Sequence, residues 1–151
     1  SLMADLGEKG FYQVPEELLA KIQEVFACGR ADDDATRAEI ASTWNELGAL
    51  IDPHTAVAKS VLDAVPADGT VRVCLSTASP YKFSSDVLAA LGQDTSGMSG
   101  FACMDALEKA TGTTAPAQLS VLRDLPVLHE DVCDRAKMGA FVESSCARVF
   151  L

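Results

Sequence analysis

The chain has 151 residues, of which 48% are hydrophobic and 23% charged, and its formal net charge is −10 at pH 7. This length and composition are typical of one globular domain with a substantial hydrophobic core. The negative charge argues against a nucleic-acid ligand, because nucleic-acid phosphates need a basic face. No apolar run approaches the roughly 20 residues of a membrane span.

The cysteines are odd in number and widely spaced, and no two of them form a C-x-x-C pair. They are Cys28, Cys74, Cys103, Cys133 and Cys146. This pattern favours reduced thiols in a cytoplasm over disulfides or a zinc site. The N-terminus lacks the basic and apolar regions of a secretory signal. Ser1 and Leu2 precede Met3 and are interpreted as a cloning remnant, and residues 3–151 as a single domain.

Two helices are predicted in the first third of the chain. The first begins at Pro15, ends near Gly29 and carries an apolar stripe that is expected in the core. The stripe consists of Leu18, Leu19, Ile22, Val25 and Phe26. The second begins at residues 32–34, because carboxylates are favoured at a helix N-terminus. A capping box of Thr36 and Glu39 is expected there, and this helix start is favoured over a metal site for the three carboxylates.

A short strand is predicted over Leu50–Asp52 and a helix over Thr55–Val65. Between them lies the sequence Asp-Pro-His-Thr. The residue before a proline is held extended, and Thr55 is a residue type that can cap the helix that follows. The sequence therefore predicts a sharp strand-to-helix junction around His54.

The segment from Val71 to Phe83 begins as a buried strand, because its β-branched run is bounded by turn-forming residues. Hydroxyls follow at Ser76, Thr77 and Ser79, and Lys82 adds a positive charge. Open α/β sheets usually bind ligands at the ends of such strands. The alternative is an ordinary strand-to-turn junction whose hydroxyls bond their own backbone.

The rest of the chain is predicted to be mostly helical. Helices are expected over residues 84–91, 101–111, 116–122 and 135–150, with a mobile loop at 93–100. One buried strand cannot satisfy its own backbone groups. It must pair with the strand near Leu50 or with a sheet supplied elsewhere. The predicted fold class is helix-rich α/β, with one or two short strands packed by about six helices.

Two stretches resemble the C-terminal part of threonine synthase. The family carries Asp-Pro-His-Thr-Ala-Val, found here at residues 52–57, and Leu-Ser/Ala-Thr-Ala-His-Pro-x-Lys-Phe, matched here by residues 75–83. The resemblance extends over nearly the whole chain. Two local departures are Ser79, where the family usually has His, and Ala58, where it usually has Gly.

The resemblance implies a fragment of a pyridoxal-phosphate enzyme that converts O-phosphohomoserine and water to threonine and phosphate. It implies that Thr77 contacts the cofactor's pyridine nitrogen, and that Ser79 and Lys82 help to hold the substrate phosphate. His54 and Thr55 are expected to line or brace the same crevice. No lysine matches the one that the family uses to bind the cofactor, and there is no glycine-rich phosphate loop. The chain alone is therefore expected to be inactive and to need the N-terminal remainder of the enzyme.

Two other functions stay open on the sequence. One is a stand-alone, non-catalytic binding module derived from this family. The other is a related β-replacing pyridoxal-phosphate enzyme with another substrate, for which Ser79 leaves room. For His54, a purely structural hydrogen-bonding role also stays open.

Overall fold

The computed structural model describes residues 1–150, and the regular elements found there are α-helices and short 3-10 turns. The α-helices are α1 (Leu2–Lys9), α2 (Glu16–Gln23), α3 (Asp33–Leu47), α4 (Pro53–Ala64), α5 (Ser84–Ala90), α6 (Gly100–Thr111), α7 (Ala117–Ser120) and α8 (Met138–Phe150). The 3-10 turns are Pro80–Phe83, Val121–Asp124 and Arg135–Lys137. None of these helices has the length and apolarity needed to cross a bilayer.

The chain divides into two compact units, Ser1–Pro116 and Ala117–Leu151. In the first unit α3 packs against α4 and α5, and α5 packs against α6. The centre of this core is formed by Ile40, Ala56, Val87, Leu88, Cys103 and Leu107, each at most 2% exposed. In the second unit α7 begins at Ala117, and α8 follows directly after the Arg135–Lys137 turn.

The helix ends in the first unit follow the local sequence closely. Asp32 caps α3 by accepting a hydrogen bond from the backbone N–H of Ala35 at 2.9 Å, and Gly48 ends α3 with φ of 63°. Because such a left-handed conformation is disfavoured for residues with a Cβ, glycine is the natural residue at this end. The predicted capping box is wrong in detail: the Thr36 hydroxyl donates to the Asp32 carbonyl, and Glu39 points to other partners.

The two predicted strands do not form within residues 1–150. Leu50–Asp52 lead directly into α4, and residues 71–75 are extended without a ladder partner. The expectation that Val71–Leu75 is buried is also wrong, since Val71, Val73 and Leu75 are 90%, 71% and 73% exposed. The physical reason is that no second extended segment lies beside them in the described chain to accept their main-chain hydrogen bonds.

The predicted apolar stripe of the first helix is likewise exposed. Helix α2 ends at Gln23, so Val25 and Phe26 lie beyond it and are 76% and 68% exposed. Leu18, Leu19 and Ile22 are also exposed. The helical periodicity identified the element, but periodicity does not supply a surface for the stripe to pack against.

Candidate functional site

The sequence Asp-Pro-His-Thr forms the N-terminus of α4, and Asp52 is its cap. Asp52 has an extended backbone, and its Oδ1 accepts hydrogen bonds from the backbone N–H of His54 at 2.9 Å and from Nδ1 of the same residue at 3.1 Å. Its Oδ2 accepts a hydrogen bond from the Thr55 hydroxyl. The cap is therefore the aspartate before the proline, and the expectation that Thr55 caps this helix is wrong.

The Asp52 carboxylate is fully buried, and yet it stays ionised. Burial raises the pKa of Asp52, but the hydrogen bonds from Thr55 and His54 more than offset that effect, so its pKa lies below the ordinary value of 3.8. Several donors to one carboxylate favour its charged form. The His54 side chain, in contrast, is 67% exposed.

Thr55 joins this helix start to the segment that follows Leu75. Its hydroxyl oxygen lies 3.2 Å from the Ser76 hydroxyl oxygen, and its carbonyl accepts a contact from the Cys74 thiol at 3.9 Å. Because Thr55 has one hydroxyl proton, which it donates to the carboxylate of Asp52, Ser76 is the donor in the second bond. The structure thus brings together the two stretches that the sequence singled out.

Ser79 and Lys82 lie on the short 3-10 turn Pro80–Phe83. The Ser79 hydroxyl caps this turn by accepting a hydrogen bond from the backbone N–H of Tyr81 at 3.3 Å. Lys82 is exposed, and its Nζ lies 5.9 Å from the centre of the Phe83 ring. The His54 ring lies 5.0 Å from the same Phe83 ring at an interplanar angle of 59°. Phe83 therefore has both His54 and Lys82 as neighbours.

Thr77 lies in the exposed turn between Leu75 and Ser79. Its side chain is exposed, and its hydroxyl makes no hydrogen bond with any part of the chain from residue 1 to residue 150. Of the hydroxyls in this turn, Ser76 and Ser79 have partners and Thr77 has none. Thr77 is thus the hydroxyl in this turn that neither donates nor accepts a hydrogen bond within residues 1–150.

The segment before Thr77 contacts α4 through alternate residues. The Arg72 guanidinium donates to the carbonyls of Leu62 at 3.4 Å and Val65 at 2.5 Å, near the helix C-terminus where a cation is favoured. Cys74 also faces α4. Val71, Val73 and Leu75 are the exposed alternates, so the side chains point alternately to α4 and to solvent, as they do along a strand.

A cavity of about 180 Å³ borders the Phe83 ring on the side of α3. Asp33 and Asp86 line it, and the one guanidinium there, Arg37, is paired with Asp34 at 3.3 Å. Two carboxylates beside one neutralised cation disfavour an anion. The lining of this cavity is therefore unfavourable for a phosphate.

Comparison with known proteins identifies the family. The family model for the C-terminal domain of threonine synthase matches residues 55–142, which is more than half of the chain. The chain belongs to the threonine synthase C-terminal family. The resemblance seen in the sequence is confirmed.

The chain is similar to threonine synthase-like and threonine synthase proteins that are much longer. It is 33% identical over 136 residues to human "Threonine synthase-like 1", covering 87% of this chain and 16% of the human protein. It is 31% identical over 123 residues to the mouse protein of the same name, and the match covers 80% of this chain and 14% of the mouse protein. The PLP-bound threonine synthase from Brucella melitensis has a similar fold, with a TM-score of 0.65 and 30% identity over 83% of this chain and 23% of that one.

Sequence reasoning missed two residues that contact His54, namely Asp52 and Phe83. The sequence pattern indicates only an extended backbone for Asp52, although Asp is among the best capping residues and stands directly before a helix-starting Pro. In the sequence, Phe83 is only the last residue of the motif at residues 75–83. Its contact with His54 crosses nearly thirty residues of chain, and no local pattern indicates such a contact.

Proposed function

We propose that this chain is the C-terminal part of a pyridoxal-phosphate-dependent threonine synthase, which converts O-phosphohomoserine and water to threonine and phosphate. The observation that carries the proposal is the shared sequence and fold with PLP-bound threonine synthase over 83% of the chain. The pairing of Thr55 with Ser76 supports it, because this bond joins the two family motifs. We place the enzyme in the cytoplasm, which suits five free cysteines.

The residues present fit one edge of the cofactor. Thr77 is exposed and without an internal partner, so its hydroxyl is available to donate to a pyridine nitrogen. A neutral hydroxyl does so without protonating the ring, and bound pyridoxal phosphate then supplies a weaker electron sink than it does beside a carboxylate. The groups that hold the cofactor's phosphate and aldehyde are assigned to the remainder of the enzyme.

The substrate phosphate is assigned to the Pro80–Phe83 turn. Lys82 is exposed and has no carboxylate partner among the described residues, so its ammonium group is available for a charge-assisted hydrogen bond. Ser79 caps the turn through its oxygen lone pair and keeps its proton for a ligand. His54 also neighbours Phe83, and Thr55 braces the site from within, since its hydroxyl is occupied by Asp52 and Ser76.

Lys59 illustrates why the chain needs its remainder. It lies near the site on α4, but its Nζ is 2.8 Å from Glu39 Oε1 and 2.7 Å from Asp63 Oδ2. These bonds, first to Asp63 and then to Glu39, raise the pKa of Lys59 well above its ordinary value. A lysine that binds an aldehyde must lose its proton first. The pairing of Lys59 with Asp63 and Glu39 therefore favours its charged form and opposes that role.

The test is phosphate release from O-phosphohomoserine by the full-length protein with pyridoxal phosphate, with this chain alone as a control. We expect release by the full-length protein and none by the chain. Replacing Thr77→Val in the full-length protein should lower kcat/KM by roughly tenfold or more through the lost hydrogen bond. Thr114→Val is the matched control, because Thr114 is exposed and lies outside both motifs.

The outcomes separate the alternatives. No release by a folded, cofactor-loaded full-length protein would overturn threonine synthase and favour a related β-replacing enzyme. A gene that encodes only this chain would favour the non-catalytic binding module. An unchanged Thr77→Val variant in an active enzyme would overturn the cofactor role of Thr77 alone.

A further inference from the structure

Asp52 has more hydrogen bonds than a helix cap requires. A cap needs one side-chain oxygen to accept from one backbone N–H, and Oδ1 does this with His54. The same Oδ1 also accepts a hydrogen bond from Nδ1 of the His54 ring, and Oδ2 accepts one from the Thr55 hydroxyl. The carboxylate has no lysine or arginine partner among the described residues, so the imidazole is its one titratable neighbour at hydrogen-bonding distance.

We infer that Asp52 is a positioning residue that fixes His54 as the Nδ1–H tautomer and leaves Nε2 as a hydrogen-bond acceptor on the exposed side. An ionised carboxylate can only accept hydrogen bonds, so at 3.1 Å the Nδ1 atom must carry the proton. A neutral imidazole has one N–H, and the other nitrogen is then an acceptor. The Phe83 ring is a second neighbour of the imidazole, with the ring centres 5.0 Å apart.

The inference also specifies how His54 would contact a substrate, and this part of it rests on the proposed function. In the fixed tautomer the neutral ring cannot donate from Nε2 to a phosphate oxygen. It accepts a hydrogen bond from a substrate donor or from water, and neutralising the phosphate is then the task of Lys82. The assignment gives the two neighbours of Phe83 different roles, with His54 as a hydrogen-bond acceptor and Lys82 as the cation.

Nitrogen NMR of the imidazole tests the assignment. The chain has two histidines, so a His129→Gln background leaves His54 as the single imidazole. Long-range ¹H–¹⁵N correlation at alkaline pH, where imidazoles are neutral, distinguishes a protonated pyrrole-type nitrogen from a pyridine-type one. We expect Nδ1 to be pyrrole-type and Nε2 pyridine-type, with one tautomer predominating.

The Asp52→Asn variant keeps a good capping residue but removes the charge. We expect the two ¹⁵N shifts of His54 to move toward each other in this variant, because the tautomers then exchange. Thr55→Val is the matched control. It removes the hydroxyl that donates to Oδ2 of Asp52, and the ¹⁵N shifts of His54 should keep their wild-type pattern. A pyrrole-type Nε2 in the unsubstituted chain would overturn the assignment, as would an unchanged pattern in Asp52→Asn.

The NMR measurement on the chain that keeps Asp52 determines the tautomer of His54 even if Asp52→Asn fails to fold. The backbone amide spectrum shows whether each variant is folded. Because neither cofactor nor substrate is present, the result is independent of enzyme activity. A fixed tautomer together with a full-length protein that releases no phosphate would contradict the proposed function and leave the positioning role of Asp52 intact.

Discussion

At the scale of single residues, Asp52 links the stability of the chain to pH. Its folded-state pKa lies below 3.8 because hydrogen bonds from Thr55 and His54 outweigh its burial. A depressed carboxylate pKa contributes stability that is fully present above the unfolded value and is lost as pH falls through the folded value. Acid should therefore weaken the contribution of Asp52 below about pH 4.

We expect Asp52→Asn to lower the free energy of unfolding at pH 7 by about 1–3 kcal/mol, since a charged acceptor with three donors is lost. The gap between wild type and variant should shrink as pH falls from 5 to 2, because the wild-type carboxylate then becomes neutral too. Urea unfolding across that range measures the gap. A gap that is constant with pH would show that the charge of Asp52 contributes nothing.

Lys59 is the second residue whose charge is held by its neighbours. Its side chain is 27% exposed, and Glu39, which also accepts a hydrogen bond from Thr43 at 3.0 Å, is 15% exposed. We expect Lys59→Met to lower the free energy of unfolding by about 1–2 kcal/mol, because the half-buried Glu39 carboxylate loses its cation.

Lys9→Met is the matched control for Lys59→Met. The bond between Lys9 and Asp5 is equally short at 2.7 Å, but these side chains are 58% and 37% exposed. Exposed ion pairs are screened by water, so the loss should be at most about 0.5 kcal/mol. Thermal and urea unfolding at pH 7 compare the two variants. Equal losses would mean that the partial burial of the Lys59 network has no energetic consequence.

At the scale of elements, the segment after α2 packs closely on α4. A Cβ built on Gly29 would lie 2.6 Å from Cγ1 of Val61, which is closer than real carbon atoms approach. We expect Gly29→Ala to lower the free energy of unfolding by about 1–3 kcal/mol, since overpacking forces the stiff valine or the backbone to shift. Urea unfolding measures this loss.

Two further variants identify the cause. In a Val61→Ala background the clash is relieved, so Gly29→Ala should cost at least about 0.5 kcal/mol less there. Gly7→Ala is the control, because Gly7 lies inside α1 with nothing within 4 Å of the new Cβ. Alanine should stabilise that helix by about 0.5–1 kcal/mol. An identical cost of Gly29→Ala in both backgrounds would show that Val61 is not the obstacle.

Some helix ends could be predicted from the sequence because their causes are local, but the first helix, expected to end near Gly29, ends at Gln23. Gly48 and Gly112 end α3 and α6 with φ of 63° and 68°, as glycine after a helical run indicates. The cap of α4 was assigned to the wrong residue, since both Asp52 and Thr55 suit that position and only the backbone path selects between them. The contact of His54 with Phe83 depends on tertiary packing and had no local signal.

At the scale of the whole molecule, the chain leaves a continuous set of apolar side chains uncovered. Residues 71, 73 and 75 are exposed, and a cavity of about 310 Å³ lies among Ala27, Cys28, α4 and the segment Val73–Leu75. Large exposed apolar patches mark interaction surfaces. The alternation of residues 71–75 allowed a strand to be predicted, but no ladder partner for it lies within residues 1–150.

If the proposed function holds, we expect this surface to bind the N-terminal remainder of the proposed enzyme by adding residues 71–75 to its sheet. Main-chain hydrogen bonds would supply affinity, and the exposed valines would pack on the new face. Val73→Glu should therefore abolish co-purification of this chain with a separately expressed remainder, because a carboxylate would be buried without a partner. Val132→Glu is the matched control, since Val132 is 94% exposed and lies in the second unit. If Val73→Glu still assembles with wild-type affinity, residues 71–75 do not form the interface and the strand must pair elsewhere.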